Sequence, residues 1–173
     1  MTLESHDRDD SEPESPGYDE TASSDLTQFL PYQLSITSNA VSALIAERYR
    51  KRFGLKIPEW RVIAVLGDAA LADGLTQRAL TDATLMDKVA VNRACKVLEE
   101  RGLVTRAPNN ADGRSHLLVL TKDGRSIRDE VMPLAQETER ELFAGLTPAQ
   151  QSALRTMLEG LRERAGNLIQ ALP

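Results

Sequence analysis

The sequence predicts a mainly α protein whose minor β content is confined to one hairpin. Three observations support this. Aromatic residues make up only 4% of the 173, and a core of Leu, Ala, Val and Ile suits helices better than strands, which draw on aromatic and β-branched side chains. Apolar residues recur at helical spacing in several separate stretches along the chain. Only between residues 103 and 120 do two short apolar runs flank a cluster of turn-forming types, as a hairpin requires.

A first long helix is expected between Pro31, tolerated in an opening turn, and Gly54, suited to a left-handed C-cap. Leu34, Val41, Leu44, Ile45 and Tyr49 form its apolar stripe. A second helix opens at Pro58, with Glu59 near its positive end, and carries Trp60, Val62, Ile63, Val65 and Leu66, and Gly74 closes the stretch. Thr76 caps a short third helix from Gln77 to about Ala83, and Asp87 caps a fourth over Lys88 to Arg101, which stops at Gly102. Strands are expected at 103–107 and 117–120, separated by Pro108, two Asn, Asp112 and Gly113. Thr121 then caps a fifth helix with Ile127, Val131, Leu134 and Leu142 on one side and a kink at Pro133. Thr147 and Gln150 make a capping box for a sixth. Its stripe of Leu154, Met157, Leu158, Leu161, Ala165, Leu168 and Leu172 is too apolar for an open surface; part of it is expected to pack within the subunit.

The net charge of −5 is unevenly spread. Of 26 acidic and 21 basic residues, nine acids and one base lie in residues 1–25, so this tail carries −8 and the rest of the chain +3. A segment so rich in Ser, Glu, Asp and Pro buries too little apolar surface to offset its ordering entropy, and disorder is the expectation. The single cysteine, Cys95, excludes an internal disulfide, and with only two histidines no zinc-type ligand set can be assembled. No metal or other cofactor is expected. No Ser/His/Asp or Cys/His constellation and no glycine-rich phosphate loop is present, so an enzyme is not expected. No apolar run approaches the ~20 residues that span a bilayer, and the N-terminal stretch has no apolar signal segment, which points to a cytoplasmic protein.

Two short helices joined by a tight turn and followed at once by a hairpin make a winged helix-turn-helix, an arrangement that docks one helix in the major groove of DNA. In the fourth helix Val91, Ala94 or Cys95, and Leu98 form the inward face. Lys88, Val89, Ala90, Asn92, Arg93 and Lys96 are then the candidate DNA contacts, since Asn reads adenine, Arg reads guanine and either can hold a phosphate. At the hairpin tip Arg114 is placed to enter the minor groove, with Asp112 restraining it. The alternative is a winged-helix protein interaction module in which these cations merely solubilise. Cys95, on the inward face, is read as an inert buried thiol.

The stretch from Ile57 to Thr121 resembles the MarR family of bacterial regulators. The run MDKVAVNRACKVLEERGLVTR is similar to that family's recognition helix and first wing strand, and Asp112, Arg114, Leu120 and Thr121 match its D-x-R then LT pattern. Trp60 and the flanking long helices follow the same order, over roughly residues 30–172. Val89 and Ala90 depart from the hydroxyl residues common there and suggest methyl contacts, as to thymine.

The resemblance implies a winged helix-turn-helix with long N- and C-terminal dimerisation helices. The segments would be a tail at 1–25, an N-terminal dimerisation helix at 26–56, a DNA-binding domain at 57–121 and C-terminal dimerisation helices at 122–173. The partners implied are a palindromic double-stranded operator, a second copy of the chain, and a small aromatic effector, such as an aromatic acid or its thioester, that releases a repressor from DNA. By the same analogy the effector cleft lies among the first, second and fifth helices, where Ser35, Ser38, Asn39, Trp60 and Arg61 are the candidate residues. An aromatic face beside a cation suits an aromatic carboxylate, although Trp60 as core and Arg61 as a surface ion-pair residue fit the sequence equally.

Overall fold

In the computed structural model the described residues are 26–173, apart from Ala72 and the side chain of Ala69; the acidic stretch 1–25, expected to be disordered, lies outside them. The described residues divide into two units, one ending at Thr37 and the other spanning residues 38–173. In the first unit a turn at 26–28 leads into helix α1 (Leu30–Phe53), and the Gln33 side-chain amide donates to the Thr27 carbonyl at 3.1 Å. Leu26, Phe29, Leu30, Leu34 and Ile36 are all exposed there.

The second unit continues α1 and adds α2 (Ile57–Leu66), a 3-10 turn at Ala69–Leu71, α3 (Gln77–Thr84), α4 (Lys88–Glu100), β1 (Val104–Pro108), β2 (His116–Leu120), α5 (Lys122–Leu142) and α6 (Pro148–Gln170). The caps form as their residue types require. The side chains of Thr76, Asp87, Thr121 and Thr147 each accept a bond from the backbone N–H three residues on, satisfying a donor that the helix leaves free. Gly54 and Gly102 adopt φ of +61° and +69°, the left-handed region in which a Cβ is costly. Helix α5 runs through Pro133 as a single helical segment.

The hairpin is antiparallel, with Val104 opposite Leu120 and Pro108 opposite His116. A third backbone segment joins it: Leu75 exchanges hydrogen bonds with Leu118, at 3.1 and 2.8 Å. The two-residue pattern that marks a strand cannot show a one-residue bridge, so nothing in the sequence announces it.

The core gathers Tyr49, Leu55, Val62, Ile63, Leu80, Val91, Leu98, Val104, Leu118 and Val131, drawn from both strands and every α-helix except α6. Of the expected α1 stripe only Tyr49 is fully buried, joined by Ala46 from outside it; Val41 and Ile45 are half-buried, and Leu34 and Leu44 are exposed. Likewise no residue of α6 is fully buried: of its expected stripe Leu154 is half-buried and the rest is exposed. Its link to α5 is polar: the Gln151 side-chain amide donates to the carbonyl oxygens of Phe143 and Leu146.

One close approach sets how α5 leaves the hairpin. Gly124 is buried, and a Cβ there would collide with the Leu103 carbonyl oxygen and meet Leu120 Cδ2 at 3.2 Å. Because the obstacle is backbone, Gly124→Ala is expected to destabilise by about 1–3 kcal/mol or more, a fall of several degrees in thermal midpoint, whereas Gly145→Ala, facing open space, should change stability by less than about 0.5 kcal/mol. Thermal unfolding of the two variants checks this.

Candidate nucleic-acid interface

Helix α4 has one buried stripe. Val91, Cys95 and Leu98 are fully buried and Ala94 nearly so, packed chiefly with α2 in the common core. That stripe leaves Lys88, Val89, Asn92, Arg93 and Lys96 on the exposed side. Val89 is a branched apolar side chain 58% exposed on a helix whose other large apolar residues are buried or half-buried. Ala90 differs from its outward neighbours. It is half-buried and lines a groove of about 520 Å³ between α4 and the start of α2, with Lys56, Pro58, Arg93 and Val97. Lys96 lies 3.9 Å from Glu100, a loose exposed pair that contributes little and leaves the ammonium available.

The hairpin tip is built by two Asx turns. Asn109 Oδ1 accepts from the Ala111 N–H at 3.0 Å, and Asp112 Oδ1 accepts from the Arg114 N–H at 3.1 Å. Asn109 Nδ2 also donates to Ser115 Oγ at 2.8 Å. Asp112 therefore restrains Arg114 through its backbone, and the exposed guanidinium projects from a fixed turn.

A side-chain clasp joins hairpin to helix. Arg106 of β1 donates to both carboxylate oxygens of Glu99 on α4, at 2.6 and 3.1 Å, the fork geometry that makes Arg–carboxylate pairs directional. Hydrogen bonding to Glu99 raises the Arg106 pKa above its ordinary value. This pair is not foreseen from the sequence, because two residues seven apart on different elements carry no local pattern.

Beneath the clasp lies Cys95. Burial, helped by the Glu99 charge, pushes its thiol up to about 11, with Arg106 partly opposing. The thiol is thus protonated and inert at neutral pH. Burial likewise pushes Tyr49 up to about 12, against the lowering influence of Arg61.

The candidate effector residues fall into two groups. Ser38 and Asn39 are exposed on α1, as is Ser35 within the first unit. Trp60 is core, its ring 5.6 Å from that of Tyr49, while half-buried Arg61 donates to Ser42 Oγ at 3.2 Å. Ser42, not singled out from the sequence, lies one turn beyond Ser38 and Asn39, a spacing that would have flagged it. A separate apolar cleft of about 290 Å³ lies between α1 and α5, lined by Val41, Ile45, Met132, Ala135, Leu142 and Phe143. Among the described residues no cluster of His, Cys, Asp or Glu suits a metal ion, and no helix is long and apolar enough to cross a membrane.

A helix-turn-helix with its reading helix polar side out, followed by an ordered wing bearing an open arginine, defines the winged-helix class of nucleic-acid-binding proteins. Residues 53–115 match the model of the MarR family. The HTH-type transcriptional repressor IacR of Pseudomonas putida is 29% identical over 116 residues, which span 65% of this chain and 66%, just under two thirds, of IacR. A MarR/EmrR family regulator from Acinetobacter sp. ADP1 superposes with a TM-score of 0.74 at 25% identity, over 82% of this chain and 98% of its own. CouR from Rhodococcus jostii RHA1, solved with p-coumaroyl-CoA, shares the fold with a TM-score of 0.69 at 24% identity, over 80% and 95% of the two chains. Over residues 53–115 the chain is thus similar to the MarR family, and the curated relatives and solved structures it resembles are transcriptional regulators.

The titration of Cys95 gives a pH test. Between its ordinary value of 9.0 and about 11 the unfolded chain loses the thiol proton while the folded one keeps it. The stability contributed by the neutral buried thiol is therefore whole below pH 9 and lost as pH rises towards 11. Denaturant unfolding at stepped pH is expected to show this alkaline decline, and Cys95→Ala to make it shallower. An equally steep decline in the variant would place the titration elsewhere.

Proposed function

We propose that the protein is a homodimeric, ligand-responsive repressor that binds a palindromic operator and leaves it when a small aromatic effector binds. The observation that carries this reading is the exposure of Lys88, Val89, Asn92, Arg93 and Lys96 on one side of a helix whose other side is buried, beside a wing that presents Arg114. Asn92 and Arg93 read base edges and Val89 meets a thymine methyl. Half-buried Ala90 gives the groove floor a close approach, and Lys88 and Lys96 hold phosphates. Arg114 enters the minor groove, held by the Asp112 turn.

In this reading residues 57–121 form the DNA-binding domain, and 26–56 and 122–173 the dimerisation helices. Exposed Met157, Leu158, Leu161, Leu168 and Leu172 on α6 and just beyond its end support a second copy as partner, and so, separately, do the exposed apolar residues of the first unit. A two-fold dimer sets its paired helices about 34–36 Å apart, one turn of DNA.

For the effector, the α1–α5 cleft offers an apolar wall and Arg61 with Ser42 a polar handle; Trp60 supports from the core, and Ser38 and Asn39 supply exposed polar groups on α1. That CouR was solved with an aromatic thioester supports the aromatic class. Release works only through differential affinity: reversing a 99:1 equilibrium takes about 5.5 kcal/mol, which two ligands per dimer share.

The test is binding to labelled duplexes from the DNA upstream of its own gene. Arg93→Ala and Arg114→Ala are expected to cost about 1–3 kcal/mol each, and Lys96→Ala to lower the slope of log affinity against log salt by about one. Affinity unmoved by the two arginine variants would favour a protein interaction module instead. Leu161→Glu is expected to give a monomer by sedimentation; a dimer that survives it would move the interface off α6.

A further inference from the structure

Where α4 ends, three helix termini meet at one side chain. Arg101, the C-cap of α4, donates from Nη2 to the Phe53 carbonyl oxygen at 2.7 Å and from Nη1 to that of Gly54 at 3.2 Å. Both carbonyls close α1, where orphan acceptors and the negative helix end favour a cation. Glu59, only 6% exposed in its side chain, lies 3.9 Å from the same Nη1. Its carboxylate also accepts the Lys56 N–H at 2.9 Å, which opens α2. On the backbone, Gly102 and the Leu103 N–H bond to the Leu98 carbonyl at 2.9 Å carry the chain from Arg101 straight into β1. The reading helix and the wing therefore leave a single residue whose side chain grips the end of α1.

We propose that Arg101 is the positioning residue that fixes the reading head to α1, and through it sets the half-site spacing the protein accepts. It touches no DNA and acts through α4 and β1. The effect is one of leverage: α4 packs on α2 through apolar contacts, whose attraction is non-directional. Directional bonds to two consecutive carbonyls resist sliding along α1. A lysine cannot reproduce the grip, since its compact ammonium lacks the planar fork. The inference rests on the reading above that two copies present paired helices to DNA.

Affinity is measured by anisotropy for three duplexes: the footprinted palindrome, the same with one base pair inserted between half-sites, and a single half-site. Inserting a base pair displaces and rotates one half-site against the other, so the wild type is expected to lose about tenfold or more. Arg101→Ala should lose about threefold or less on insertion while binding the single half-site within about twofold of wild type. Arg101→Lys and Glu59→Gln, which keeps an acceptor for the Lys56 N–H, should fall between, and carry the test if the alanine variant does not fold. A wild-type penalty retained in Arg101→Ala overturns the proposal. So does a loss of affinity equal on all three duplexes, the mark of a merely structural residue. No insertion penalty in the wild type means the paired-helix reading fails, and this inference with it.

Discussion

The burial of one stripe of α4 is the constraint on which the rest depends. Val91, Ala94, Cys95 and Leu98 recur at three, one and three residues, so they line one side of a helix and nothing else on it is fully buried. Once that side is committed to the core shared with α2, the azimuth of the helix is set. Asn92, Arg93 and Lys96 then have only the outside to occupy. The display of polar groups to a partner is thus a consequence of apolar packing, and the identity of the outward residues is left free to specify the partner.

Packing sets the rotation of α4 but not the pitch of the wing beside it, and here polar contacts take over. The Glu99–Arg106 clasp ties β1 to α4, while the Leu75–Leu118 bridge ties β2 to the segment before α3. Gly74 permits this second tie: its φ is +89°, and a Cβ would stand 2.6 Å from the Leu118 carbonyl oxygen. The tip is stiffened by Asn109 and Asp112 binding backbone N–H groups two residues on. A wing anchored at both strands and turned by its own side chains holds Arg114 against a stable base, which would lower the entropy lost in the proposed groove contact.

What was legible in the sequence follows from how far apart the cooperating residues are. The caps at Thr76, Asp87, Thr121 and Thr147 are contained in four-residue windows, and the buried face of α4 in eight, so local spacing revealed them. The hairpin strands begin and end within one residue of the expected positions. The grip of Arg101 on residues 47 and 48 positions earlier, the collision that forbids a side chain at Gly124, and the Leu75 bridge are products of tertiary approach, with no periodic trace. At the candidate site the same divide holds. Exposure on α4 could be read from a helical wheel, but the half-buried place of Ala90 depends on where α2 begins. Trp60 read equally as pocket wall or core; only the position of the Tyr49 ring beside it favours the core.

The stripe of α6 is an apolar face that its own subunit leaves largely open. A helix of 23 residues that buries none of them draws little stability from its own subunit, since tertiary packing of an apolar face is what ordinarily sustains a helix. Leucines at 158, 161 and 168 recur at the three-to-seven spacing that suits a partner helix. Covering them with a second copy would satisfy the hydrophobic demand that the monomer leaves open and hold two reading helices at one separation. The same apolar side chains would then serve stability and the geometry of recognition at once, so that operator spacing becomes a property of the assembled pair and of no single winged helix within it.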